Sequence, residues 1–195
     1  MIKNIVFDFG DVLVRDRVKI LEKKYHFNKL SQTEKNKYIK AFHDSETGII
    51  TNQELLKAMH ETLAKKISPQ DIKKFIFNTY TLPPWKLAKK LKVNYKIIIF
   101  SNNLKGWPQR ISKLLKINFL IFPWVNSSYQ GMRKPNILFY KYLIKKFHLK
   151  PKETIFIDDK KINLIPARRL GINTFQYVNN ITQLKKFLKK LSVKI

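Results

Sequence analysis

Hydrophobic positions fall into two rhythms along the chain. Ile2 to Phe9 is a run of β-branched and aromatic residues ending in Asp8-Phe9-Gly10-Asp11, which reads as a strand buried on both faces. The next comparable run is Ile97-Ile98-Ile99-Phe100. Between the two, the apolar spacing is mainly helical. Thr51-x-x-Glu54 has capping-box spacing and predicts a helix to about Lys66, and Ser68-Pro69-x-Asp71 offers an N-cap, an N1 proline and an early acid for another.

After Phe100 the pattern alternates. It predicts a helix over 105–116, a short strand at 119–122, a helix over 135–147 and a strand at 154–157. A helix over 160–170 follows despite Pro166, with Gly171 as its stop, then a strand at 172–176 and an amphipathic helix over 181–191. Such alternation implies an α/β chain: a Rossmann-like parallel sheet with helices on both faces and a small helical cap inserted after the first strand. The expected division is a core of 1–14 with 82–195 and a cap of 15–81. Ligands in this architecture sit beyond the carboxyl ends of the strands.

Composition narrows the picture. A hydrophobic fraction of 44% in 195 residues suits one sizeable core. No apolar run approaches the roughly 20 residues that cross a bilayer. The apolar stretch at Met1 to Asp8 carries a lysine and an acid and has no small-residue cleavage site behind it, so a cytoplasmic location is expected. The absence of cysteine excludes disulfides and thiolate chemistry.

The net charge of +27 would fit a polyanion-binding protein. Only six of the 40 basic residues are arginine, however, and the remaining 34 lysines are scattered through nearly every segment. Scattered charge lacks the clustering that tracks a phosphate backbone. It reads as compositional drift towards lysine, with no specific nucleic-acid site. The Leu184, Leu188, Leu191 stripe beside Lys185, Lys186, Lys189 and Lys190 reads as a face packed on the sheet.

Four polar clusters fall where they can converge on one rim. Asp8 ends the first strand as a partly desolvated carboxylate. Ser101-Asn102-Asn103 follows the second long run and offers a hydroxyl and the N–H groups of a helix start. Lys134, in Gly131-Met-Arg-Lys-Pro135, stands before a proline-opened helix. Asp158-Asp159 ends another strand, and two adjacent acids at a buried strand end call for a hard cation, for which magnesium is suited. A carboxylate nucleophile, a carboxylate-bound metal, a hydroxyl donor and a lysine form the set that phosphoryl transfer through an aspartyl-phosphate requires.

The order Phe7-Asp8-Phe9-Gly10-Asp11-Val12-Leu13, Phe100-Ser101-Asn102, Arg133-Lys134-Pro135 and Phe156-Ile157-Asp158-Asp159 resembles the four motifs of the haloacid dehalogenase superfamily, with its helical cap between the first and second. Gly131-Met-Arg-Lys-Pro and Glu46-Thr-Gly-Ile-Ile-Thr51 most resemble a branch of bacterial sugar-phosphate phosphatases that includes enzymes acting on glucose 1-phosphate. The resemblance implies a magnesium-dependent phosphatase acting on a small phosphorylated metabolite. Asp8 would attack phosphorus, Ser101 and Asn102 would bind the transferring group, and Lys134 would offset charge. Asp8, the Gly10 carbonyl, Asp158 and Asp159 would hold Mg2+.

One departure stands out. Most phosphatases of the superfamily carry an acid two residues after the nucleophile, where this chain has Gly10, as the resembled branch also does. Asp11 would have to bend back to substitute. The family's dehalogenases lack that acid too, but they do not depend on magnesium. A catalytically weak protein that binds RNA or another polyanion is the alternative from a different class. Arg15, Asp16 and Arg17 could reach substrate at the cap entrance or equally form a solvated hinge; His43, Asp44 and Glu46 are expected in a cap turn, and Trp107 in the core or the pocket wall.

Overall fold

The computed structural model describes residues 1–63, 70 and 78–195. Five parallel strands form one sheet in the order β3-β2-β1-β4-β5, where β1 is Asn4–Phe7, β2 Lys96–Ser101, β3 Trp124–Asn126, β4 Thr154–Asp158 and β5 Asn173–Gln176. Residues alternate between the two faces of each strand. Ile5, Phe7, Ile97, Ile99, Ile155 and Ile157 enter one core with α4 (Pro83–Leu91) and α8 (Ile181–Lys190), through Trp85, Leu91, Leu184 and Leu188. Val6, Ile98, Phe100 and Phe156 enter the other with α6 (Ile137–Phe147) and α7 (Lys161–Arg169). Both faces are covered, which is why the strands read as unbroken apolar runs. Leu184 and Leu188 of the C-terminal stripe lie in the first core.

After β1 the chain leaves the sheet for α1 (Val18–Lys24), α2 (Gln32–Glu46) and α3 (Asn52–Thr62). Ser31 with Glu34 and Thr51 with Glu54 each form a complete capping box, satisfying N–H groups that the first helical turn leaves open. The helix expected from Ser68, and the end of the one expected to reach Lys66, lie outside the described residues. Leu21, Tyr38, Leu55, Met59 and Leu63 build a separate small core, against which Leu104 and Trp107 pack.

Two expectations are corrected. No strand forms at 119–122: Phe119–Ile121 is a 3-10 turn, and the strand comes later, at Trp124–Asn126. Phe119 and Phe122 are both buried while Leu120 between them is exposed, a spacing of three that suits the tight turn. Asn118 caps it by accepting from the N–H of Leu120, and Phe119 meets Phe9 and Trp85 edge-on or tilted. His43, Asp44 and Glu46 are not in a turn but in the last turn of α2, which runs unbroken from the Ser31 cap to Thr47.

Gly48 follows α2 at φ 76°, and a Cβ there would lie 2.5 Å from the Ser128 carbonyl oxygen in the core. The insert and the core therefore touch where only glycine fits. Gly48→Ala is expected to cost at least about 1–2 kcal/mol from the left-handed backbone alone. That is a fall of several degrees in thermal midpoint, read by differential scanning calorimetry.

Candidate active site

The carboxyl ends of β1 and β4 lie side by side, with the Asp8 N–H donating to the Ile157 carbonyl at 2.8 Å. Chain order reverses here, because β2 and β3 lie to one side of β1 and β4 and β5 to the other. The opening at such a reversal is where open α/β sheets bind ligands. Asp8 and the Asp158-Asp159 pair meet in it.

Lys134 ties the acids together. Its Nζ is 2.9 Å from Asp8 Oδ1, 2.6 Å from Asp158 Oδ2 and 3.0 Å from the Phe100 carbonyl oxygen to which it donates. Only 1% of Lys134 and none of Asp158 is exposed, so each buried charge is compensated by the other. Asp158 is held further by the Lys160 N–H at 2.8 Å and the Asn163 amide at 3.0 and 3.1 Å. Burial opposes the charge on Lys134, but Asp158 and Asp8 outweigh it and keep the ammonium above its ordinary range. For Asp8, burial wins: it pushes the carboxyl up to about 7, against the pull of Lys134 and with the push of Asp158 and Asp159. Asp159 is raised by burial and by Asp158, and Lys19 on α1, 3.3 Å away, opposes the rise.

One oxygen from each of Asp8, Asp158 and Asp159 lies within 4.8 Å of the others. Opposite ligands of an octahedral magnesium with bonds of about 2.1 Å stand about 4.2 Å apart, so the all-oxygen set has nearly the right spacing. Three carboxylates facing one fully buried ammonium also leave negative charge for a cation to balance. The donors fit a hard divalent ion in both chemistry and spacing.

A cavity of about 120 Å³ opens between sheet and insert, lined in part by Gly10, Asp16, Ser101, Asn102, Leu56 and Trp107. Ser101 is buried at the end of β2. The helix start expected beside it is not there. Helix α5 (Trp107–Leu115) begins six residues later, behind Gly106. The N–H of Asn103 donates to Ser127 Oγ and that of Leu104 to Asn103 Oδ1, so local bonds fix this loop. The Asn102 amide accepts from the Lys134 N–H at 2.8 Å and donates to its carbonyl at 2.9 Å. Asn102 thereby sets the backbone from which Lys134 extends. Helix α6 starts after the Asn136 cap, two residues later than Pro135 suggests.

Arg15, Asp16, Arg17 and Glu46 all line the cavity, as does Trp107, which also packs against both the sheet core and the insert core. Asp11 has not bent back: its Oδ1 takes Arg15 at 2.9 Å and the Asp16 N–H at 3.1 Å. Three contributors escape sequence reasoning. Asn163 grips Asp158, Lys19 reaches Asp11 and Asp159 from α1, and Arg133 grips Glu46 through Nε and a terminal nitrogen, both at 2.8 Å. Asn163 lies in the first turn of α7, five residues after Asp158, a spacing that could have marked it. The 87-residue gap between Glu46 and Arg133 gives no such signal.

A model of the haloacid dehalogenase-like hydrolases matches residues 5–177. The chain belongs to this family. It is 30% identical to the D-ribitol-5-phosphate phosphatase of Bacteroides thetaiotaomicron, over 92% of this chain and 93% of that one. A family enzyme from Bacteroides thetaiotaomicron, solved with magnesium and inorganic phosphate, superposes with a TM-score of 0.71 at 28% identity, covering 90% of this chain and 94% of that one. The L-2-haloacid dehalogenase of Xanthobacter autotrophicus shares the fold, with a TM-score of 0.66 at 15% identity, over 100% of this chain and 85% of that one. As a haloacid dehalogenase-like hydrolase, the chain has its phosphatase relative matched along nearly its whole length. No described helix is long and apolar enough to cross a membrane.

Proposed function

We propose that this protein hydrolyses a small phosphomonoester with the help of magnesium, using Asp8 as a covalent nucleophile. The observation that carries the reading is the buried Lys134 ammonium bridging Asp8 and Asp158, with Asp159 alongside. Asp8, Asp158, Asp159 and the Gly10 carbonyl would hold the ion. Bound there, magnesium supplies charge to the phosphoryl oxygens and keeps Asp8 ionised.

In this reading Asp8 attacks phosphorus, the alcohol departs, and water releases phosphate from the aspartyl-phosphate. Lys134 neutralises charge building up between nucleophile and phosphoryl group, and its three fixed contacts spare it any reorganisation as it does so. Ser101 binds a phosphoryl oxygen, and Asn102 acts through its grip on Lys134. The segment 15–81 serves as the cap over a core of 1–14 and 82–195, its side chains selecting the alcohol. Sugar and polyol phosphates are the first candidates. Ribitol 5-phosphate is suggested by the full-length relative, and glucose 1-phosphate by the Gly131 to Pro135 and Glu46 to Thr51 wording.

The protein is expected to release phosphate from p-nitrophenyl phosphate and from a panel of sugar phosphates with magnesium and not with chelator. No release from any, with the protein folded and the metal supplied, would overturn the reading. Magnesium at a hundred times its dissociation constant should add about 2.7 kcal/mol of stability. The thermal midpoint should then rise by about 5–10 °C over the chelated protein, and much less in Asp159→Asn.

A further inference from the structure

Hydrolysis of an alkyl phosphate through a carboxylate nucleophile needs two proton transfers. The departing alkoxide must gain a proton, and the water that frees the phosphate must lose one. The carboxyl groups near Asp8 can be sorted by what already holds them. Asp158 is locked by Lys134, Lys160 and Asn163, Asp159 faces Lys19, Asp11 takes Arg15 and Lys19, and Glu46 is gripped by Arg133. Among the described residues, Asp16 takes part in no ion pair. Its Oδ1 accepts the Val18 N–H at 2.9 Å, which fixes the side chain at the start of α1.

The other oxygen, Oδ2, lies beside the space that Gly10 leaves free of a side chain. A Cβ built on Gly10 would stand 3.7 Å from Asp16 Cβ and 4.0 Å from Asp16 Oδ2, in ordinary van der Waals contact. The Asp16 carboxyl thus borders the space into which a side chain at position 10 would project. That position is two residues beyond Asp8, and both Gly10 and Asp16 line the cavity that Ser101 enters. From the geometry we propose that Asp16 is the catalytic acid and base of this site, reaching from the start of the insert into the space that the missing side chain of Gly10 leaves open. The proposal rests on the phosphomonoester reading above.

In the first step Asp8 Oδ forms a bond to phosphorus as the phosphorus–alcohol oxygen bond breaks. The departing oxygen takes the proton from the Asp16 carboxyl, which becomes a carboxylate. In the second step water attacks the phosphorus of the aspartyl-phosphate and gives a proton to the Asp16 carboxylate. Asp8 leaves as a carboxylate, and both groups return to their starting states. The Val18 N–H, Asp11, Lys160 and Lys19 surround the Asp16 carboxyl. Glu22 on α1 and Tyr38 on α2 also face it.

The test separates proton delivery from everything else the side chain does. Asp16→Asn keeps an acceptor for the Val18 N–H, and both enzymes are assayed with magnesium on D-ribitol 5-phosphate and p-nitrophenyl phosphate. On ribitol 5-phosphate the variant should lose about 10²- to 10⁴-fold in kcat/KM. On p-nitrophenyl phosphate kcat/KM should stay within about threefold, since nitrophenolate leaves without a proton. Turnover should instead stall at the second step, giving a burst of about one nitrophenolate per enzyme before a slow phase. Asp16→Ser should show the same split. Equal losses on both substrates, or no loss, overturn the relay and leave the phosphatase reading intact. Absence of turnover by the unaltered protein on every phosphate overturns that reading and the relay with it.

Discussion

Asp8→Asn is expected to abolish phosphate release, lowering kcat/KM by at least about 10⁴-fold, as loss of a covalent nucleophile does. Asn can still accept the Phe9 N–H, which Asp8 Oδ1 takes at 2.7 Å, so the turn after β1 should keep its shape. Stability and activity should separate. Asp8 sits among like charges with its carboxyl held up by burial, and Lys134 keeps Asp158 when Asp8 is neutralised. The variant in chelator should therefore be no less stable than the parent, and its gain on adding magnesium should shrink.

The pH dependence follows in sign. A carboxyl raised from 3.8 to about 7 holds its proton longer in the folded protein than in the unfolded one. Its contribution is fully present below pH 3.8 and fades as pH rises towards 7. The chelated parent should lose stability from Asp8 across that window, and Asp8→Asn should not. Residual phosphate release above about one per cent of the parent would remove Asp8 from its role.

Much of this site was legible because it stands at strand ends. Ile5-Val6-Phe7 and Ile155-Phe156-Ile157 are buried on both faces, so their sequences carry no alternation and their ends are marked by the first acid. What failed was of two kinds. Phe119 to Phe122 is an apolar run of four, and four residues do not distinguish a strand from a tight turn. The aromatic pocket of Phe9 and Trp85 decided in favour of the turn. Ser31-x-x-Glu34 is the same local signal as Thr51-x-x-Glu54, yet the apolar spacing behind it is weaker and α2 is mostly exposed, so its reach to Glu46 was unread.

The second kind is contact across the chain. Asn102 shaping the backbone of Lys134 spans 32 residues, and Asp16 beside Gly10 depends on how the loop after β1 folds back. Arg15 and Asp11 explain that fold: their ion pair closes the loop, and Asp11 also accepts the Asp16 N–H. The motif predicts that an acid is missing at position 10. Only the folded loop brings position 16 next to it.

Lys134→Met should produce the largest loss of stability of any single change at the site. The ammonium has two carboxylates and the Phe100 carbonyl around it, and it stands 5.5 and 5.2 Å from the ring centroids of Phe100 and Phe156. Met fills the aliphatic path but leaves Asp158 a fully buried charge with only neutral donors. Breaking a buried pair by removing one partner costs about 3–5 kcal/mol. In a chain of this size that is a fall of about 6–20 °C in thermal midpoint, to be read in chelator so that no added cation stands in for the ammonium. Activity should vanish as well, which by itself would not distinguish catalysis from support. The double variant Lys134→Met with Asp158→Asn does: removing both buried charges should restore most of the stability and none of the activity. A single variant that costs under about 1 kcal/mol would mean that the buried Asp158 does not depend on Lys134 for compensation. Full cost with recovery in the double variant would identify the buried pair as a requirement of chemistry that the fold can do without.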